Sequence, residues 1–209
     1  ESFEPQSGND NGSAFKPTEG EQYELGIRYQ PAGSNTLLSA AVYQLTQKNV
    51  LTPNPVDATR QVQTGEVRSR GLELEAKTDL GDHSSITASY AYTDAEVTKS
   101  NSANLGQKNA GMPRNMFSVW GNHRFGEVGP GQLRVGAGAR YVDKVSGLFD
   151  SAVVSPSYTL FDAMLGYEIG PWDLTLNATN LTDEDYVSYT YAAFYGAERT
   201  LTAGVAYRW

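Results

Sequence analysis

Apolar and polar residues alternate one for one along most of this chain, and the alternation persists over segments too long for an ordinary globular sheet. In the final stretch Leu201, Ala203, Val205, Tyr207 and Trp209 are apolar, while Thr200, Thr202, Gly204, Ala206 and Arg208 are small or polar. Successive side chains of a strand point to opposite sides, so these two sets occupy different surfaces. The same split sets Ile86, Ala88, Tyr90 and Tyr92 against Thr87, Ser89, Ala91 and Thr93, and Trp172, Leu174, Leu176 and Ala178 against Asp173, Thr175, Asn177 and Thr179. Helical three-four spacing appears nowhere for long. Nine strands are expected, near 21–30, 35–49, 61–78, 84–97, 113–125, 132–144, 157–169, 172–187 and 197–209. Many exceed the roughly five or six residues usual in globular sheets and reach the roughly 9–11 residues that a tilted strand needs to cross a bilayer.

The connections sort by length. Pro31–Ser34, Asp79–Asp82, Gly126–Gly131 and Gly170-Pro171 are short; the leader 1–20 and the segments near 50–60, 98–112, 145–156 and 188–196 are longer and polar. Short turns at one end and long loops at the other fit an outer-membrane barrel, with aromatic residues such as Phe125, Tyr141, Tyr167, Trp172, Tyr207 and Trp209 placed for its interfacial girdles. The expected fold is all-β, a portion of an antiparallel transmembrane β-barrel. A soluble sandwich also alternates, but it does not sort its loops in this way.

Composition narrows the function. The 209 residues carry 16 basic and 24 acidic side chains, a net charge of -8, which opposes nucleic acid as a partner. With no cysteine and two histidines there is no disulfide scaffold, thiolate metal site or cysteine nucleophile. His83 and His123 have no partner at triad or ligand spacing, no nucleophile-elbow motif occurs, and no metal site is expected. An enzyme is not expected. The opening ESFEPQSGNDNGS has neither a charged n-region nor an apolar core. A last strand ending on the short-turn side, with an odd count of nine, places the start of the chain in a long loop, whereas single-chain barrels have an even strand number. The expectation is the C-terminal part of a larger barrel.

The segments FKPTEGEQYELGIRYQP at 15–31, AAVYQLTQKNVL at 40–51, QTGEVRSRGLELEAK at 63–77, ASYAYTDAEVT at 88–98, PRNMFSVWGNHRF at 113–125, SYTLFDAMLGYEI at 157–169, WDLTLNATNLTDEDYV at 172–187 and GAERTLTAGVAYRW at 196–209 resemble the TonB-dependent siderophore receptors of the Gram-negative outer membrane, the ferrichrome-type receptors in particular. The resemblance covers nearly the whole chain. It implies a plugged barrel of about 22 strands, of which residues 1–209 supply the last nine or so, with the plug, the earlier strands and the TonB-engaging box outside this sequence. It also implies uptake of a ferric siderophore, of hydroxamate type, as transported ligand with no covalently bound cofactor. The implied partners are the TonB complex, the barrel-assembly machinery and outer-membrane lipid.

An organic iron chelate is gripped by ring faces and hydrogen bonds. The candidate ligand residues are therefore the aromatics of the last long loop, Tyr186, Tyr189, Tyr191, Phe194 and Tyr195, which alternatively brace the loop or join the girdle. Related receptors often carry a cysteine pair in this loop; its absence here leaves the fixing of the loop open. Glu73, Glu75 and Asp173 are expected to face the lumen, because a charge against lipid costs a few kcal/mol, and there they pair with plug arginines or stay solvated. Gly71 marks a bulge or a close backbone approach. The polar run Asn177–Asp183 is placed to fix a loop root by hydrogen bonds. Tyr207 and Trp209 resemble the terminal signal read by the assembly machinery. A diffusion porin, or a vitamin or haem receptor of the same architecture, are the competing readings.

Overall fold

The computed structural model describes residues 2–5, 9–10, 13–57, 59–146, 154–189 and 193–209. Ten strands form one sheet: β1 (Ser2–Glu4), β2 (Thr18–Tyr29), β3 (Leu37–Pro53), β4 (Gln61–Leu80), β5 (Ser84–Lys99), β6 (Asn115–Val128), β7 (Gly131–Val142), β8 (Tyr158–Ile169), β9 (Trp172–Thr179) and β10 (Thr200–Tyr207). They lie side by side in chain order, each antiparallel to the next. Three two-residue or three-residue hairpins stand apart from the sheet, including Val145–Ser146 with Val154–Ser155 and Val187–Tyr189 with Ala193–Tyr195. No described helix is long and apolar enough to cross a membrane, a fact that does not bear on crossing by strands.

The nine expected strands are all present, with two differences. The leader contributes β1, whose three residues pair with the start of β2 at Thr18–Gly20. The strand expected over 172–187 stops at Thr179, because Asn180 and Asp183 take positive φ angles of 51° and 56°. Short-chain Asn and Asp tolerate this left-handed conformation, and it turns the chain out of the sheet.

Register assigns every side chain to a face. One face carries Leu25 and Ile27, directly opposed to Val42 and Ala40, these to Leu72 and Leu74, and these to Tyr92 and Tyr90; Tyr90 faces Phe117, and farther along the same face Val135, Leu165, Leu176 and Ala203 oppose one another in turn. No Asp, Glu, Lys or Arg interrupts this face between the short turns and the level where Gln44, Arg70 and Asp94 stand side by side. Leu25, Ile27, Leu201 and Val205 are each at least two-thirds exposed, a surface that only a lipid environment makes favourable. Near the short turns the face is lined by Phe125, Tyr167, Trp172 and Tyr207; the last two rings meet edge to face at 4.9 Å. His123 sits among them, its ring 4.4 Å from Phe125 and its Nδ1 2.7 Å from the Ser84 hydroxyl, in the place of a girdle aromatic.

The opposite face is polar and curves around a hollow of about 700 Å³ lined by Glu24, Arg28, Glu73, Glu75, Ser118 and Arg140. Trp120 lies flat on this side: a Cβ at Gly136 or Gly138 would come within 2.6 or 2.5 Å of its ring, and its Nε1–H donates to Asn122 Oδ1 at 2.9 Å. Gly71 marks a close approach, since a Cβ there would meet the Tyr43 ring at 2.5 Å; the nearby register shift falls at Glu66/Val67 instead.

Candidate ligand-binding mouth

At the long-loop end the strands run past the apolar face. β4 alone has 20 residues, about twice what a crossing needs. The non-glycine residues that are buried among those described gather toward this end: Val67, Ala95, Val97, Val145 and Leu160, with the polar Thr18, Thr52, Ser69, Ser155 and Asn180. The apolar face gives way there to ion pairs, Lys48 with Glu21 at 2.9 Å, Arg68 with Glu96 at 3.7 Å, and Asp94 with both Lys108 and Arg114. Such exposed pairs contribute little stability individually; what they show is that this part of the wall stands in water.

The loop after β5 continues the sheet. Gln107 and Val97, Gly106 and Val97, and Asn109 and Ala95 exchange backbone hydrogen bonds of 2.8–3.0 Å, and Gly111 N–H reaches Ser146 O at 3.0 Å. Between this loop and the Val145–Ser146 hairpin lies a second hollow of about 320 Å³, lined by Lys108, Asn109, Met112, Arg114, Asp143 and Lys144 among others. Sequence reading did not single these residues out. The available signal was the cations flanking Gly111 and Pro113, but only folding brings Lys144 to them. Asn115 Nδ2–H donates to Asp143 Oδ2 at 2.7 Å, and this bond, with the Lys144 amide and the Tyr141 hydroxyl, holds the Asp143 carboxyl below its ordinary pKa. Asp57, in the loop between β3 and β4, is lowered in the same sense by the hydroxyl and amide of Thr59.

The last long loop is organised around Asn180, which is 3% exposed. Its side-chain Nδ2 donates to Glu184 O at 3.0 Å and to Ala197 O at 3.1 Å, its Oδ1 accepts from Glu184 N–H at 2.8 Å, and its own N–H donates to Asp162 Oδ1 at 3.0 Å. Asp162 in turn holds Arg140 at 3.3 Å. Three residues on, Asp183 accepts the Arg199 N–H at 2.8 Å and faces the Arg199 guanidinium at 3.6 Å. Of these side chains Asn180 bonds chain on both sides of the loop, Glu184 before it and Ala197 after it, while Asp183 ties the start of the loop to Arg199.

Of the candidate aromatics, Tyr186 packs inward. A Cβ at Gly196 would collide with its ring, its carbonyl accepts the Gly196 N–H at 2.7 Å, and its ring centroid is 4.5 Å from that of Tyr158. Only glycine allows this seat. Phe194 and Tyr195, on the Ala193–Tyr195 strand, are 61% and 87% exposed. Tyr189 closes the partner strand Val187–Tyr189, and Tyr191 lies outside the described residues. Tyr186 is thus packed against the loop, whereas Phe194 and Tyr195 are exposed.

Glu73 and Glu75 lie on the polar face, exposed, with no ion pair among the described residues; Ser39 Oγ is 3.5 Å from Glu75. Asp173 differs. It is held by Arg134 at 2.7 Å and Arg208 at 3.1 Å, and Arg134 also meets Glu168 at 3.4 Å. Tyr207 meets Trp172 edge to face, and Trp209 is fully exposed beside Arg208, whose N–H donates to Pro171 O at 2.8 Å. No group of three His, Cys, Asp or Glu side chains among the described residues is placed to hold a metal ion.

These features have a recognisable company. The chain is 36% identical over its whole length to the ferrichrome outer membrane transporter/phage receptor of Escherichia coli, of which it covers 29%. It is 40% identical over 92% of its length to the ferrioxamine receptor of Yersinia enterocolitica, covering 28% of that protein. The solved siderophore receptor PiuA of Acinetobacter baumannii superimposes with a TM-score of 0.79 at 30% identity, over 94% of this chain and 29% of that one. The chain therefore spans less than a third of the length of these relatives. Each of these relatives is named as a receptor. The model of the TonB dependent receptor-like β-barrel matches residues 1–181, and the lipid-facing wall, the sorted loops and the antiparallel order agree with it: the chain belongs to that family of outer-membrane β-barrel proteins.

Proposed function

We propose that the chain is the C-terminal barrel portion of an outer-membrane receptor that takes up ferric siderophores of hydroxamate type, energised through TonB. The observation that carries this reading is a pair of exposed rings, Phe194 and Tyr195, held on a loop whose root is hydrogen-bonded to the wall. Ring faces and a few fixed hydrogen bonds suit the organic shell of an iron chelate, which needs no protein ligand to the metal. The relatives named for ferrichrome and ferrioxamine, matching more than nine-tenths of the chain, supply the ligand class.

In this reading the apolar face meets lipid, Tyr207 and Trp209 present the terminal signal to the barrel-assembly machinery, and Tyr189 and Tyr191 join Phe194 and Tyr195 at the ligand. The lumen charges divide: Asp173 stays locked to the wall, whereas the unpaired Glu73 and Glu75 receive cations of a plug. The test uses the full-length receptor in outer-membrane vesicles and in cells. Saturable binding of ferrichrome or ferrioxamine B, with iron uptake that stops when TonB is deleted, supports the reading. Unsaturable permeation of small solutes without binding would replace it with a porin, and binding of haem or a vitamin alone would move it to another substrate class.

A further inference from the structure

The last long loop has no cysteine to tie it, yet its two ends are joined. Asn180 Nδ2 bridges the carbonyls of Glu184 and Ala197, one on each side of the loop, while its backbone is fixed to Asp162 on β8. Leu181 N–H adds a 2.7 Å bond to Phe161 O. The pairing Val187↔Tyr195 and the bond from Gly196 N–H to Tyr186 O continue the same antiparallel register down to the residues that Asn180 grips. The aromatic hairpin and its root are thus one ladder, and Asn180 stands at its base.

We propose that Asn180 is the positioning residue of this loop, a non-covalent clasp that does the work of a cross-link and sets the pose in which Phe194 and Tyr195 are presented. Physical reasons favour a clasp over a passive corner. A buried amide with every polar atom satisfied is costly to break, because a group left unpaired in the interior keeps its full desolvation penalty, and its bonds go to both arms of the loop instead of to one. The positive φ alone requires only a residue tolerant of that conformation, which glycine satisfies; the three bonds made by the side chain require Asn.

The substitution Asn180→Gly separates the two roles, since it keeps the backbone conformation and removes the clasp. In full-length receptor in vesicles, cleavage within 184–198 by an aromatic-directed protease is expected to rise at least tenfold, with the heat-modifiability of the barrel unchanged. Asn180→Asp, which keeps an acceptor for Glu184 N–H but loses both donated bonds, is expected to behave like the glycine variant. An oxidised Asp185→Cys/Ala197→Cys pair, placed in the same register, is expected to restore protection to Asn180→Gly and to lose it again on reduction. Wild-type protection in Asn180→Gly or Asn180→Asp would overturn the proposal, and so would loss of barrel assembly, which would make Asn180 a residue of the wall. Protease readout needs no ligand, so it stands apart from the siderophore reading, whose own failure appears as absence of chelate binding in the unsubstituted receptor. Where that receptor binds ferrichrome or ferrioxamine B, affinity is expected to fall at least fivefold in Asn180→Gly and to recover with the disulfide; unchanged affinity in an exposed loop would overturn the positioning role.

Discussion

The membrane wall and the rim above it are built from the same strands but are held by different forces. In the wall, side chains such as Leu25, Ile27, Leu201 and Val205 are largely exposed and touch few protein neighbours. Their stabilisation comes from lipid and from the backbone ladder. At the rim, the same strands are bound by specific side-chain bonds, from Asn115 to Asp143 and from Asn180 to both arms of the last loop. The wall therefore tolerates any apolar residue of suitable size, whereas the rim depends on identity. A generic surface forms the wall, and specific bonds fix the geometry of the rim.

The largest expected effect breaks the wall. Leu176→Arg places a cation on the lipid side at mid-depth and should lower the unfolding free energy of the full receptor in vesicles by about 2–4 kcal/mol, whereas Asn177→Arg, one residue on and facing the polar side, should change it little. Denaturant titration of the two variants decides the face assignment; equal losses would refute it. Next is Gly138→Val, which drives a side chain into the Trp120 ring and the Val119 carbonyl, both 2.5 Å from a Cβ at that position. A cost of about 1–3 kcal/mol is expected, with a shift in Trp120 emission as the ring tilts.

Smaller still is Asp183→Ala, which removes the acceptor of the Arg199 N–H. About 0.5–1.5 kcal/mol of local protection should be lost, seen as faster exchange of that amide with the exchange of β8 and β9 unaltered. The smallest effect concerns pH. Because the folded pKa of Asp143 is lowered, its contribution is fully present above the ordinary aspartate value and is lost as pH falls through the lower folded value. Proteolysis of the 143–146 loop root should rise in that acid window in the wild type, and Asp143→Asn should abolish the pH dependence.

The wall was legible in the sequence because its rule is local: a period of two places Leu174 and Leu176 on one face whatever their partners are. The rim was legible only in outline. The run Asn177–Asp183 points to hydrogen bonding at a loop root, but alternation alone carries a strand through it to 187, since nothing local shows that Asn180 turns the chain out of the sheet. Tyr186 and Tyr195 are indistinguishable by residue type and differ by Gly196, whose missing side chain makes room for one ring and not the other. The second hollow at the rim needed Lys108, Arg114 and Lys144 to be brought together from different loops. Long-range side-chain bonds are the part of the structure that alternation does not encode.

Trp120 and Trp172 give the wall a built-in optical contrast. One indole lies against Gly136 and Gly138 on the polar side, and the other meets Tyr207 edge to face on the apolar side, close to the short turns. Quenchers carried on acyl chains should darken the second and spare the first, while water-borne quenchers admitted to the lumen should do the reverse. With Trp209, the third indole of this sequence, replaced by phenylalanine, Trp120 and Trp172 can thus report which side of the wall a quencher has reached.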